Sequence, residues 1–298
     1  MNTLSQGAIG SPKRTKELLQ KYGLTLKKSL GQNFLVDRNI LLKIVNAAGL
    51  DSAKGALEIG PGIGALTQQL AETAGKVAAV EIDQRLIPVL EDVLRPYPNV
   101  KIIHGDVLKV NLRAVLADYF SGLQGISVVA NLPYYVTTPI VMRLLEERLP
   151  FENIVIMIQK EVAERMAAKP GSKDYGSLSV AVQYFSEPEL VAQVPRTVFI
   201  PQPNVDSTVI RLKLRNEPPI EIEDEDFFFR VVQACFAQRR KTLLNNLLSA
   251  FVGKADKQLL LTALDQCGID PVRRGETLQM HEFAALSGRL REIANAES

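Results

Sequence analysis

Between residues 54 and 132, short apolar runs alternate with stretches of helical spacing, and this alternation limits the fold more than any other feature of the chain. Residues 56–59, 76–82, 100–104 and 126–130 read as strands, with helices at 63–73 and 84–94 between the first three. Strands separated by helices of this length pair in parallel through crossovers. More strands are expected at 153–159, 189–194 and 207–214, and helices at 139–147, 160–168 and 177–185. The pattern changes near Arg215: Asn216-Glu217-Pro218-Pro219 and an acidic run lead into Phe227-Phe228-Phe229 and a tail of helical periodicity. The expectation is an α/β, Rossmann-like sheet with helices on both faces, plus a small all-α C-terminal domain. Its divisions are a basic arm over 1–30, a sheet domain over 31–216 and a helical domain over 217–298. The three phenylalanines read as helix core.

A chain of 298 residues is comfortable for two cores. Its 46% hydrophobic and 23% charged residues are ordinary for a globular protein. No apolar run approaches the roughly 20 residues of a membrane span, and the polar segment 1–12 has no apolar stretch of signal-peptide type. A cytoplasmic protein, with no membrane and expected to be a monomer, follows. Cys235 and Cys267 form no paired motif, and His104 and His281 are the only histidines, so no metal site is expected. Net charge is only +2, but residues 1–30 hold six basic side chains, Lys27 and Lys28 among them, against Glu17. Such a segment suits phosphate neutralisation. The same reading applies to Arg239-Arg240-Lys241 and Arg273-Arg274.

The first strand runs into Gly60-Pro61-Gly62-Ile63-Gly64, a turn whose glycines let a ligand approach the backbone. No Lys-Ser or Lys-Thr follows, which excludes a P-loop. Gly60-x-Gly62-x-x-Ala65 still permits a dinucleotide fold. The second strand ends at Glu81, suited to ribose hydroxyls, and the third leads to Asp106, able to accept from an adenine amine. Three successive strand ends thus carry a turn and two acids on the carboxyl edge of the sheet.

A fourth strand delivers Asn131-Leu132-Pro133-Tyr134. The Asn131 side-chain oxygen can accept one hydrogen of an exocyclic amine, and the rigid Leu132-Pro133 step can aim a backbone carbonyl at the other. Tyr134 offers a face for the ring that carries the amine. Read alone, the tetrapeptide is equally a strand followed by a proline turn.

Together these motifs resemble the S-adenosylmethionine-dependent methyltransferases, and more closely the ribosomal RNA adenine dimethyltransferases. The resemblance runs from Lys27-Lys28-Ser29-Leu30-Gly31-Gln32-Asn33-Phe34-Leu35 through Gln159-Lys160-Glu161-Val162-Ala163 and Phe199-Ile200-Pro201-Gln202-Pro203-Asn204-Val205-Asp206-Ser207. It continues in Phe236-Ala237-Gln238-Arg239-Arg240-Lys241-Thr242-Leu243 and ends at Arg274-Gly275-Glu276-Thr277-Leu278, where Gly275 stands in place of the family's Ala. It implies S-adenosyl-L-methionine as cofactor, held by Asn33, Leu35, Gly60, Glu81, Asp106 and Asn131. It further implies catalysis by Asn131, Leu132, Pro133 and Tyr134, with Tyr134 and Phe199 as aromatic walls around a flipped adenine. The implied reaction is N6 dimethylation of two adjacent adenosines near the 3′ end of 16S ribosomal RNA, with the small ribosomal subunit as partner. Three other readings stay open at this stage: a methylase of large-subunit RNA, a nicotinamide dehydrogenase, and a non-catalytic assembly factor.

Overall fold

The computed structural model describes residues 8–25, 32–251 and 257–296, which divide into two compact units. The first comprises residues 1–163 and 187–214, the second 164–186 and 215–298.

Helix α1, Pro12–Lys21, opens the first unit, with Ser11 as N-cap and proline in its first turn. Both devices start a helix at little cost, since the cap satisfies a free N–H and Pro12 has none to satisfy. Instead of forming a free arm, this segment buries Thr15 and Leu18, and Lys21 bonds Asp92 at 2.7 Å. Lys27 and Lys28 lie outside the described residues.

Strand β1, Phe34–Leu35, and helix α2, Arg38–Ala47, capped by Asp37, follow. The sheet then alternates as its apolar pattern requires: β2 Gly55–Ile59, α3 Ala65–Ala71, β3 Lys76–Glu81, α4 Ile87–Val93, β4 Val100–His104, α5 Leu112–Tyr119, β5 Ile126–Asn131, α6 Thr137–Glu146 and β6 Asn153–Gln159. Helix α7, Lys160–Met166, and helix α8, Ser177–Phe185, lead to β7 Ser186–Val194, β8 Phe199–Ile200 and β9 Ser207–Leu214.

Seven strands form one sheet in the order β4-β3-β2-β5-β6-β9-β7. Strands β2 to β6 pair in parallel, and β9 runs antiparallel to β6. Strand order reverses direction between β2 and β5, so right-handed crossovers lay helices on both faces and leave a crevice at that junction. Register brings the strand ends together there. Ile59 pairs with Val80 on one side and Ala130 on the other, so Gly60, Glu81 and Asn131 follow side by side. A separate two-stranded ladder pairs Phe34 with Ile200 and Leu35 with Phe199.

The second unit is helical: after α8 come α9 Glu225–Cys235, α10 Leu243–Ala250, α11 Lys257–Gln266 and α12 Met280–Ala296. Its core gathers Tyr175, Phe228, Leu264, Phe283 and Leu286. Residues 164–186, expected in the sheet domain, belong here because their aromatic rings pack on α9. Phe185 stacks on Phe229 at 5.8 Å between centroids, and the Tyr184 hydroxyl donates to Glu225 at 2.8 Å. Of the three phenylalanines expected in the core, Phe227 and Phe228 are buried and Phe229 is half-buried against them. Gly275 is tightly seated: a Cβ there would lie 2.6 Å from the Cys235 carbonyl oxygen.

Candidate active site

At the crevice, one cavity is lined by Asn33, Leu35, Gly60, Glu81, Asp106, Asn131, Leu132, Pro133, Tyr134 and Phe199, the ten residues expected around cofactor and target base. All belong to the first unit.

The glycine turn forms the floor. Gly60, Gly62 and Gly64 all have positive φ, at 68°, 60° and 89°, a region that side chains disfavour. A Cβ on Gly62 would meet the Phe34 ring at 2.9 Å, and one on Gly60 would stand 4.0 Å from the Asn131 backbone oxygen. At Gly60 the constraint is the positive φ, and at Gly62 it is that together with the Phe34 ring.

Glu81 is 4% exposed, with its carboxylate accepting from Gly62 N–H at 3.1 Å and Asp83 N–H at 2.8 Å. Burial raises its pKa, and these backbone donors work against the rise. Beside it, Asp83 is drawn down to about 2 by the Arg85 guanidinium, with Gln32 donating to it at 2.9 Å. The Gln32 contact ties the segment leading into Asn33 to the end of β3. Asp106 sits in a turn after β4, its Oδ1 accepting from Leu108 N–H at 2.9 Å, while Gly105 N–H donates to the Glu81 carbonyl at 2.9 Å.

Asn131 ends β5, and its Nδ2 donates to the Asn33 carbonyl at 3.2 Å. This bond fixes the amide and leaves Oδ1 as the side chain's acceptor. The Pro133 carbonyl accepts from Val136 N–H at 3.2 Å and from the Thr137 hydroxyl at 3.1 Å, which anchors the tetrapeptide to the start of α6. The Tyr134 hydroxyl and Ser207 lie 2.9 Å apart, and burial raises the tyrosine's pKa. Phe199 is 4% exposed and held by its pairing with Leu35.

Several residues of this cavity escaped the sequence reading. Gln32, Phe34, Ile82 and Tyr135 also line it, Tyr135 being 61% exposed at the rim. Gln32 and Phe34 lay inside a motif already noted, but their contacts are long-range and leave no periodic trace.

The five cations expected in the helical unit divide into two groups. Arg239 donates to the carbonyls of Lys173 and Tyr175, and Arg273 forks onto Glu282 at 2.5 and 3.1 Å while donating to the Thr277 carbonyl at 2.8 Å. Arg240, Lys241 and Arg274 are exposed. Leu243 N–H donates to the Arg273 carbonyl at 2.8 Å, which sets the segment after Lys241 beside the one that carries Arg274. Among the described residues no group of His, Cys, Asp and Glu could hold a metal, and no helix is long and apolar enough to cross a membrane.

Comparison with known proteins identifies the family. A family profile described as ribosomal RNA adenine dimethylase matches residues 23–286. The chain is 63% identical over 286 residues to a ribosomal RNA small subunit methyltransferase A of Geobacillus sp. (strain WCH70), covering 96% of this chain and 98% of the relative. Among solved structures, a dimethyladenosine transferase from Plasmodium falciparum aligns with a TM-score of 0.73 and 28% identity, over 87% of this chain and 98% of that one. A 23S rRNA methyltransferase, ErmE, aligns with a TM-score of 0.64 and 29% identity, over 87% and 100%. With its strand-end acids, glycine turn and Asn131 tetrapeptide around one cavity, the chain belongs to the ribosomal RNA adenine dimethylase family.

Proposed function

We propose that this protein transfers methyl groups from S-adenosyl-L-methionine to the N6 amines of two adjacent adenosines near the 3′ end of small-subunit (16S) ribosomal RNA. The observation that carries the reading is the Asn131 side chain, held by Asn33 at the switch point in the same cavity as Glu81 and Asp106. The small-subunit assignment rests on the 63% identical relative, against 29% for the large-subunit enzyme.

The cavity fits the cofactor. The positive φ of Gly60 and Gly62 disfavours a side chain at either position, so the turn meets a ligand with bare backbone. Glu81 offers a buried carboxylate to ribose hydroxyls, Asp106 an acceptor to the adenine amine, and Ile82 an apolar face to its ring. When bound, the cofactor supplies a sulfonium methyl as the electrophile.

The protein's own contribution is chiefly placement. An adenine amine is a weak nucleophile because its lone pair is shared with the ring. Acceptance of its two hydrogens by Asn131 Oδ1 and the Leu132 carbonyl draws the nitrogen toward a tetrahedral shape, which favours the transition state over the ground state. The Pro133 carbonyl is occupied by Val136 and Thr137, so the Leu132 carbonyl is the one assigned this role. Tyr134 and Phe199 offer faces to the extracted base, offsetting an unstacking cost of a few kcal/mol. Arg240, Lys241 and Arg274 are assigned to RNA phosphates. Arg239 and Arg273 instead hold the unit's own backbone.

Substitution of Asn131 tests this site. Asn131→Ala should lower turnover by about 10²- to 10³-fold, the loss seen when one preorganised polar group is removed from a reacting centre. Calorimetry should show affinity for S-adenosylhomocysteine changed by no more than about threefold, since two acids and the glycine turn remain. Full turnover in the variant would remove the basis of the reading.

A further inference from the structure

Helix α6 begins on the tetrapeptide that grips the target amine and ends with a side chain that reaches the loop bearing Asp106. In its last turn, Arg143 donates through Nη2 to the Val110 carbonyl at 2.9 Å, through Nη1 to the Val107 carbonyl, and through Nε to Glu147 one turn on. The two carbonyls flank the turn that Asp106 closes. Asp106 accepts from Leu108 N–H through its side chain at 2.9 Å, and its own carbonyl accepts from Lys109 and Val110 N–H at 2.8 and 2.9 Å. At the other end of α6, the Pro133 carbonyl takes the Thr137 hydroxyl. One rigid helix therefore spans from the Asn131 tetrapeptide to the 106–110 turn, and a planar guanidinium is the group that fixes its far end. Arginine suits this task because its fork addresses separated acceptors at fixed angles, which a lysine ammonium does not.

We propose that Arg143 is a positioning residue for recognition of the cofactor's adenine: it holds the 106–110 turn so that the Asp106 carboxylate meets the exocyclic amine, at a set offset from Asn131. The inference rests on the reading of Asp106 as acceptor of that amine. Arg143 acts through backbone carbonyls, so its loss should relax selectivity at one atom of the ligand without dismantling the ribose contact of Glu81.

The test compares two ligands by calorimetry: S-adenosylhomocysteine and S-inosylhomocysteine, in which a carbonyl replaces the amine and turns a donor into an acceptor facing Asp106. The full-length wild-type protein should prefer the adenosyl ligand by tenfold or more. Arg143→Ala should weaken the adenosyl ligand about tenfold and leave the inosyl ligand within about twofold, so that most of the preference disappears. Arg143→Lys, which keeps the charge and disturbs packing least, should lose an intermediate share. A purely structural role would weaken both ligands alike. Equal weakening of both, or an unchanged preference in both variants, would therefore overturn the inference while sparing the reading of Asp106. A wild-type protein that binds both ligands equally would overturn that reading itself, and this inference with it.

Discussion

Glu58 lies on β2 with 1% of its surface exposed, and its Oε2 has no hydrogen-bond partner. Burial pushes its carboxyl up to about 8 from 4.5, and the charge of nearby Glu81 acts in the same direction. Between those values the unfolded chain has released a proton that the folded chain keeps. Stability is therefore fully present below about 4.5, declines as pH rises toward 8 and levels off above it, with a slope of at most roughly 1.4 kcal/mol per pH unit. Glu58→Gln removes the titrating group and keeps the shape. Thermal unfolding of the ligand-free proteins from pH 5 to 9 should show the wild type losing ground to the variant as pH rises, with the difference flattening above about pH 8. Parallel curves would show that Glu58 does not hold its proton. Sequence could place this residue on a strand but could not show that its neighbours exclude water.

At the scale of elements, the strands and most of their connecting helices were legible because each buried face repeats an apolar pattern that a parallel sheet demands. The β1–β8 ladder was not, since two residues per strand carry no period. Nor were helices α1, α2 and α5 anticipated, although Ser11, Asp37 and Asn111 act as their caps. The helices expected at 160–168 and 177–185 are present as α7 and α8, yet periodicity does not say which core a helix joins. Tyr184 and Phe185 decide that by packing on Phe228 and Phe229. The same limit applies to the basic runs of the second unit. Spacing marks five cations, whereas only their hydrogen bonds separate Arg239 and Arg273, which hold the fold, from Arg240, Lys241 and Arg274. Replacing those three by Gln should lower the magnitude of the salt slope of RNA binding by about 2–3, at roughly 0.7–0.9 for each phosphate no longer neutralised. The unfolding midpoint should stay within a degree or two. An unchanged salt slope would show that the three side chains do not meet phosphate.

For the whole molecule, the sheet unit carries the cavity with its strand-end acids and Asn131, and the helical unit carries the exposed cations Arg240, Lys241 and Arg274 on a chain whose net charge is only +2. Non-specific attraction is thereby kept modest, so selection of the correct RNA has to come from shape and from a base that can be extracted into the cavity. The candidate site was largely legible in sequence because parallel strands must end on one edge, and acids or amides at those ends must meet. What sequence left out were the braces: Gln32 to Asp83, Asn33 to Asn131, and Arg143 to the 106–110 turn. The most direct measurement is to incubate the protein and S-adenosylmethionine with unmethylated small subunits and, separately, with large-subunit RNA, then to digest the RNA and identify its nucleosides by mass spectrometry. The account predicts N6,N6-dimethyladenosine at two adjacent positions near the 3′ end of 16S RNA, formed about 10²- to 10³-fold more slowly with Asn131→Ala. Methylation confined to large-subunit RNA, or none on either RNA despite cofactor binding, would contradict it.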